Sequence, residues 1–141
     1  MAGAATLYTP QVLGLATGLA AWPMDETLPF SSEGRSKTCG SAIALALALD
    51  SDGRIARLGL RSQACAIGQA AAAIFADGAP GKRGSEIGES VEAIEAWLFD
   101  DGPMPAWPGL DAIAAARDYP ARHEAILLPW RVARRALPSS P

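Results

Sequence analysis

Histidine and cysteine are nearly missing from this chain of 141 residues: His123 stands alone, and the two cysteines are Cys39 and Cys65. Two cysteines are too few for the disulfide framework of a small secreted domain. A single imidazole leaves little room for general acid–base chemistry. No Ser-His-Asp constellation and no paired carboxylates stand out, so a binding protein is expected and not an enzyme. No apolar run reaches the roughly eighteen residues needed to cross a bilayer. The apolar stretch from Val12 to Ala21 is short, and no Lys or Arg precedes Arg35 to form the basic start of a secretory signal. Fifteen acidic against twelve basic residues leave a net charge of −3, without the clustered Lys and Arg that nucleic acid demands. These absences lead to an expected cytoplasmic protein with no membrane and no nucleic-acid partner. In that compartment thiols stay reduced, and a thiol pair is more often metal-binding or reactive than structural.

Half of the residues are hydrophobic, enough for a core that does not depend on disulfide or metal staples. Alanine supplies much of that content and aromatics only 6%, so the elements must approach one another closely. The length fits one domain, drawn here as 1–137 with 138–141 as a disordered tail.

Thr9 and Pro10 open a helix, the first as cap and the second at the position where a missing N–H costs nothing. Val12, Leu13 and Ala16 share its inner face, with Leu19 or Ala20 continuing it, and Pro23 stops it. Leu28 to Lys37 reads as an irregular edge strand. From Ser41 to Asp50, Ile43, Leu45, Leu47 and Leu49 alternate with four alanines, a period of two that predicts a strand. Asp50-Ser51-Asp52-Gly53 then turns the chain. Arg54 to Arg61 returns antiparallel, with Ala56, Leu58 and Leu60 expected inward. Cys65 to Ala76 is helical and ends at Gly78. Ser85 is expected to cap a helix with the stripe Ile87, Val91, Ile94 and Leu98. After a Pro- and Gly-rich connector and a brief helix over 110–117, a last helix covers about Glu124 to Leu137. Pro129 is expected in its first turn, or as a kink at its start. Strands first and helices afterwards predict an α+β fold, with helices on one face of a short antiparallel sheet.

Cys39 precedes Gly40 in a loop, and Cys65 sits where a strand gives way to a helix. Unpaired N–H groups and the positive dipole end at that helix start favour a thiolate. A hairpin of matched strands returns its outer ends to neighbouring positions, so the two sulfurs can converge on one ion. A free cysteine is also often a small buried hydrophobe, and spacing alone leaves both readings open. Among the other candidates, the Gly81-Lys82 loop lacks P-loop spacing, which makes Lys82 a surface or partner-contact residue. The Trp97, Trp107 and Trp130 set reads as core and loop anchors, and the Arg131, Arg134 and Arg135 face as solvated.

The local motifs go further. Thr38-Cys39-Gly40-Ser41, then the strand–turn–strand through Ser51-Asp52-Gly53-Arg54-Ile55, then Gln63-Ala64-Cys65-Ala66-Ile67, resembles the core of the NifU/IscU/SufU iron–sulfur cluster assembly scaffolds. Leu7 to Leu15 looks like the family's N-terminal helix, and Gly78 to Gly84 with Lys82 like its Gly-Lys loop. Pro120-Ala121-Arg122-His123-Glu124-Ala125 looks like the segment that delivers the third cysteine. The resemblance spans nearly the whole chain in order.

It implies a three-stranded antiparallel sheet with helices on one face. It also implies a scaffold that accepts sulfur from a cysteine desulfurase, holds iron, builds a transient 2Fe-2S cluster and passes it to acceptor apo-proteins, with zinc as the other metal. Cys39 and Cys65 would be the cluster- and metal-binding groups. The sequence departs from the family at two ligand positions. Ser41 replaces the aspartate of Cys-Gly-Asp, and Ala125 stands where the third cysteine belongs. His123 is then the candidate third metal ligand, or Glu124 beside it. A degenerate paralogue acting as an adaptor without its own cluster, or a persulfide-transfer accessory, are the alternatives.

Overall fold

In the computed structural model, which describes residues 7–37 and 40–138, the Thr9 hydroxyl accepts from the Val12 N–H at 3.2 Å and Pro10 takes the first helical position. Helix α1 (Pro10–Thr17) starts as its cap predicts. It passes into a 3-10 turn over Gly18–Ala21. Only Val12 of α1 is buried, and Leu13, expected inward, is 49% exposed. An eight-residue helix lying shallowly on its neighbours inserts one side chain; Leu7, just ahead of it, is also buried.

Strands β1 (Phe30–Arg35), β2 (Ala42–Leu49) and β3 (Ile55–Gln63) form one antiparallel sheet in that order, with β2 central. The large residues of β2 do share a face: Ile43, Leu45 and Leu47 are buried there, opposite Gly34, Ser32 and Phe30 on one side and Ser62, Leu60 and Leu58 on the other. The hairpin turn is held by Asp50, whose carboxylate accepts from Asp52 N–H and Arg54 N–H at 2.9 and 3.0 Å. Gly53 takes the positive φ expected of it, 79°.

One expectation fails on β3. Ala56 is exposed and Ile55 buried, because Ala48 pairs with Arg57 while Leu49 pairs with Ile55. That bulge leaves one extra residue on β3 and flips the inward position. A period-two reading has no means of seeing it.

Helix α2 (Ala66–Gly78) is the central element, with every residue from Ile67 to Ala76 except Gln69 buried. Helix α3 (Gly84–Phe99) buries the predicted stripe of Ile87, Val91, Ile94 and Leu98. Its cap is Arg83, two residues before Ser85: the Arg83 N–H donates to Glu86 Oε1 at 2.9 Å, a carboxylate serving the helix start. The brief helix is a 3-10 segment, Leu110–Asp118, kinked at Ile113.

Helix α4 (His123–Ala136) carries Pro129 in its interior, beyond the first turn. It lies across β1 and β2, on the leucine face of the sheet. It can lie close because Gly34 has no side chain: a Cβ there would meet Val132 Cγ2 at 2.8 Å and the Arg135 guanidinium at 2.6 Å. On the alanine face, the segment Trp22–Asp25 crosses β3 at Gly59, where a Cβ would stand 2.2 Å from the Pro23 carbonyl oxygen. The Leu60 N–H donates to the Trp22 carbonyl at 3.0 Å.

The tryptophans anchor the interior. Trp107 and Trp130 meet edge to face at 5.3 Å, and Phe75 packs against both; each such pair adds about 1 kcal/mol beyond simple burial. Lys82 belongs to this cluster, its Nζ 5.2 Å above the Trp107 ring, which ties down a residue read from sequence as a surface contact. Arg131 and Arg135 are likewise engaged, with Glu95 at 2.8 Å and the Glu33 carbonyl at 2.7 Å. The expected tail falls on residues 138–141, of which 139–141 lie outside the described residues.

Candidate metal and sulfur site

β1 ends at Arg35 and β2 begins at Ala42, and the connection between them is drawn together at its base. The Ser36 N–H donates to the Ser41 carbonyl at 2.8 Å, and the Ser41 N–H donates to Ser36 Oγ at 3.2 Å. Both serines are buried, at 6% and 2% exposure. The Ser36 hydroxyl there satisfies a backbone N–H that has left the ladder. Ser41, read from sequence as a hydrogen-bonding residue at a strand start, is that. Thr38 and Cys39 lie outside the described residues, so the sulfur expected from Cys39 belongs to the proposal below. One residue beyond Ser36, the Lys37 N–H donates to Glu124 Oε1 at 2.9 Å.

Cys65 is the cap residue of α2, in extended conformation (φ −63°, ψ 169°), half-buried and without a capping bond from its side chain. Its carbonyl accepts from the Gln69 N–H at 2.9 Å, and the Gln69 side chain donates back to the Ala64 carbonyl at 3.1 Å. This fixes the helix start backbone while leaving the thiol uncommitted to it.

Register explains why these segments meet. Ala42 pairs with Gln63, so the chain just before β2 and just after β3 leave the sheet at one end. Gly68, in the first turn of α2, marks the meeting point. A Cβ on Gly68 would stand 2.7 Å from Ala64 Cβ, 3.4 Å from Ala125 Cβ and 3.6 Å from Ser41 Oγ. The start of β2, the start of α2 and the start of α4 therefore converge there. Ala125 is buried, at 2% exposure.

His123 is neither a loose loop residue nor an open ligand. It is the first residue of α4, 7% exposed. Its Nε2 lies 2.6 Å from the Arg117 carbonyl oxygen, and its ring meets Phe99 edge on at 5.5 Å. A carbonyl only accepts, so Nε2 carries a proton, and only Nδ1 could offer a lone pair with that bond intact. Ligation through Nε2 would break that bond. Glu124, the other neighbour of Ala125, spends one carboxylate oxygen on the Lys37 amide. Among the described residues no three His, Cys, Asp or Glu side chains gather as a metal-holding group. The Glu124–Lys37 bond and the role of Gly68 carry no signature in the sequence, because each joins residues far apart in the chain.

No helix among the described residues is long and apolar enough to cross a membrane. No family model matches the chain. Over 109 residues, 74% of each protein, it is 28% identical to the iron–sulfur cluster assembly scaffold protein IscU of Thermotoga maritima. The N-terminal part of a nitrogen-fixing NifU-like protein from Brucella abortus has the same fold, with a TM-score of 0.84 and 25% identity, over 92% of this chain and 91% of that one. A SufU-type protein of the SUF system from Fervidobacterium islandicum superposes with a TM-score of 0.84 over 96% of this chain and all of its own, at 22% identity. In fold the chain is similar to the NifU-like and SufU-type proteins, and in sequence to the scaffold protein IscU, as the order of its motifs predicts.

Proposed function

We propose that this protein is an iron–sulfur cluster assembly scaffold, a binding and transfer module and not an enzyme. It holds iron, a transient 2Fe-2S cluster or zinc through Cys39 and Cys65, and accepts sulfur from a cysteine desulfurase before handing its cargo to acceptor apo-proteins in the cytoplasm. The observation that carries this reading is the convergence at Gly68 of Ser41, Ala125 and the helix start bearing Cys65, inside a fold shared with a NifU-like protein. Cys39 precedes Ser41 by two residues, so the bonded chain alone keeps the two Cα atoms within about 7 Å.

Thiolates suit iron, zinc and iron–sulfur clusters because they are soft donors. The hydroxyl of Ser41 and the methyl of Ala125 occupy two positions where the family supplies ligands. A site with few protein donors binds weakly, and weak binding suits a donor of cargo. His123 serves as a third ligand only through Nδ1 or by releasing the Arg117 carbonyl.

A second reading, an adaptor that keeps the fold without a cluster, draws on the same two replacements and on the committed Nε2 of His123. Anaerobic purification with assay of iron, zinc and acid-labile sulfide separates them, repeated in Cys39→Ser, Cys65→Ser and His123→Ala. Metal or sulfide that disappears in the cysteine variants supports the scaffold. A metal-free wild type that still binds a desulfurase overturns it in favour of the adaptor. A persulfide on one cysteine without cluster assigns a sulfur-transfer accessory instead. Loss of metal in His123→Ala, with folding intact, makes the imidazole a ligand.

A further inference from the structure

The β1–β2 connection is fastened at two levels. At its base, Ser36 and Ser41 exchange backbone and hydroxyl hydrogen bonds. One residue further out, the Lys37 N–H donates to Glu124 Oε1 at 2.9 Å, a contact spanning 87 residues of sequence. An acidic side chain in the first turn of a helix normally serves that helix's own N–H groups. Glu124 instead reaches across to a backbone donor of another element. α4 itself is held on the sheet by the Arg135 bond to the Glu33 carbonyl and by Val132 over Gly34, so the carboxylate is presented from a fixed platform.

We propose that Glu124 is a positioning residue: by accepting from the Lys37 amide, it ties the β1–β2 loop to the start of α4 and so sets the reactivity of the thiol that this loop carries. The inference deepens the reading of Cys39 as a working thiol and rests on it. The function is assigned to the acceptor oxygen and not to bulk or net charge. A glutamine, which keeps an oxygen acceptor in nearly the same place, should therefore substitute for it.

The test uses the full chain, freed of metal by a chelator and reduced. Iodoacetamide alkylation of Cys39 and Cys65 is followed on the same molecules by peptide mass spectrometry, beside hydrogen exchange of the Lys37 amide. In Glu124→Ala, the Cys39-to-Cys65 rate ratio is expected to rise about threefold or more, with faster exchange at Lys37. In Glu124→Gln both return close to wild type. A general loss of stability speeds both cysteines together, so the ratio isolates the loop, with Cys65 as internal control. An unchanged ratio in Glu124→Ala, or a Glu124→Gln variant as altered as Glu124→Ala, overturns the proposal. Because no metal is needed, failure of this test is distinct from failure of the scaffold reading, which is decided by metal and sulfide content.

Discussion

Ala125 Cβ and Ser41 Oγ border the same small space over Gly68, 3.4 and 3.6 Å from where a Cβ on that glycine would stand. The two residues that the resemblance sets at ligand positions of the scaffolds are thus neighbours, beside the helix that Cys65 caps.

A sulfur added at position 125 would enter that space. Ala125→Cys is expected to raise retained zinc or iron and to tighten binding about tenfold or more if Cys39 and Cys65 already share an ion. The metal-free variant should be slightly destabilised, by about 1 kcal/mol, because the site is buried and the addition is one atom. Metal titration with a competing chromophoric chelator reads both affinity and stoichiometry. No gain in affinity would mean that the sulfurs do not converge.

His123 supports the start of α4 whatever its relation to metal. Truncation to alanine removes the hydrogen bond to the Arg117 carbonyl and the contact with Phe99. Urea unfolding of His123→Ala should show a loss of about 2–3 kcal/mol. A loss below about 0.5 kcal/mol would show that the imidazole is not held as described.

Gly59 admits the crossing segment on the alanine face. In Gly59→Ala the new Cβ would sit 2.2 Å from the Pro23 carbonyl oxygen and 3.0 Å from the Asp25 N. Backbone must move, and the bond from Leu60 N–H to the Trp22 carbonyl should open. A destabilisation of about 2 kcal/mol is expected, together with faster exchange at the Leu60 amide.

The two inner tryptophans should respond differently to loss of their indole nitrogen. Trp107 Nε1 donates to the Ile74 carbonyl at 2.9 Å, whereas Trp130 Nε1 is buried without a partner among the described residues. Trp130→Phe trades lost packing against removal of an unsatisfied donor, and should cost no more than about 1 kcal/mol. Trp107→Phe also loses the Lys82 contact and should cost about 2 kcal/mol more. Equal losses in denaturant unfolding would refute the distinction.

Asp25 offers a titration. Its carboxyl lies below the ordinary value of 3.8, chiefly because the Thr27 hydroxyl and N–H donate to it, with Arg57 assisting and desolvation opposing. A carboxylate whose folded pKa is depressed stabilises the fold above its unfolded pKa. That contribution fades as pH falls from about 3.8 through the lower folded value. NMR titration should place Asp25 below 3.8, and Thr27→Val should move it upward. No upward movement in the variant would rule out the threonine as the main cause.

The alternating Ile and Leu of β2, the Asp-Gly turn, the Thr9-Pro10 helix start and the stripe of α3 are local patterns, and a local pattern is enough to specify a local element. They determined the α+β class, the hairpin and the place of Cys65 at the helix start that follows it, and the ordered motifs determined the family resemblance. Tertiary structure decided what depends on residues distant in the chain. The bulge at Ala48 and Leu49 moved Ile55 inward in place of Ala56, since register belongs to a strand pair and not to one strand. The imidazole of His123 was committed by a carbonyl six residues away, across a turn that no helical or strand period describes. Glu124 found its partner at Lys37 only because α4 crosses the sheet over Gly34. A hydrogen bond or a close approach between distant segments requires both to be in place, and that information exists only once the chain has folded.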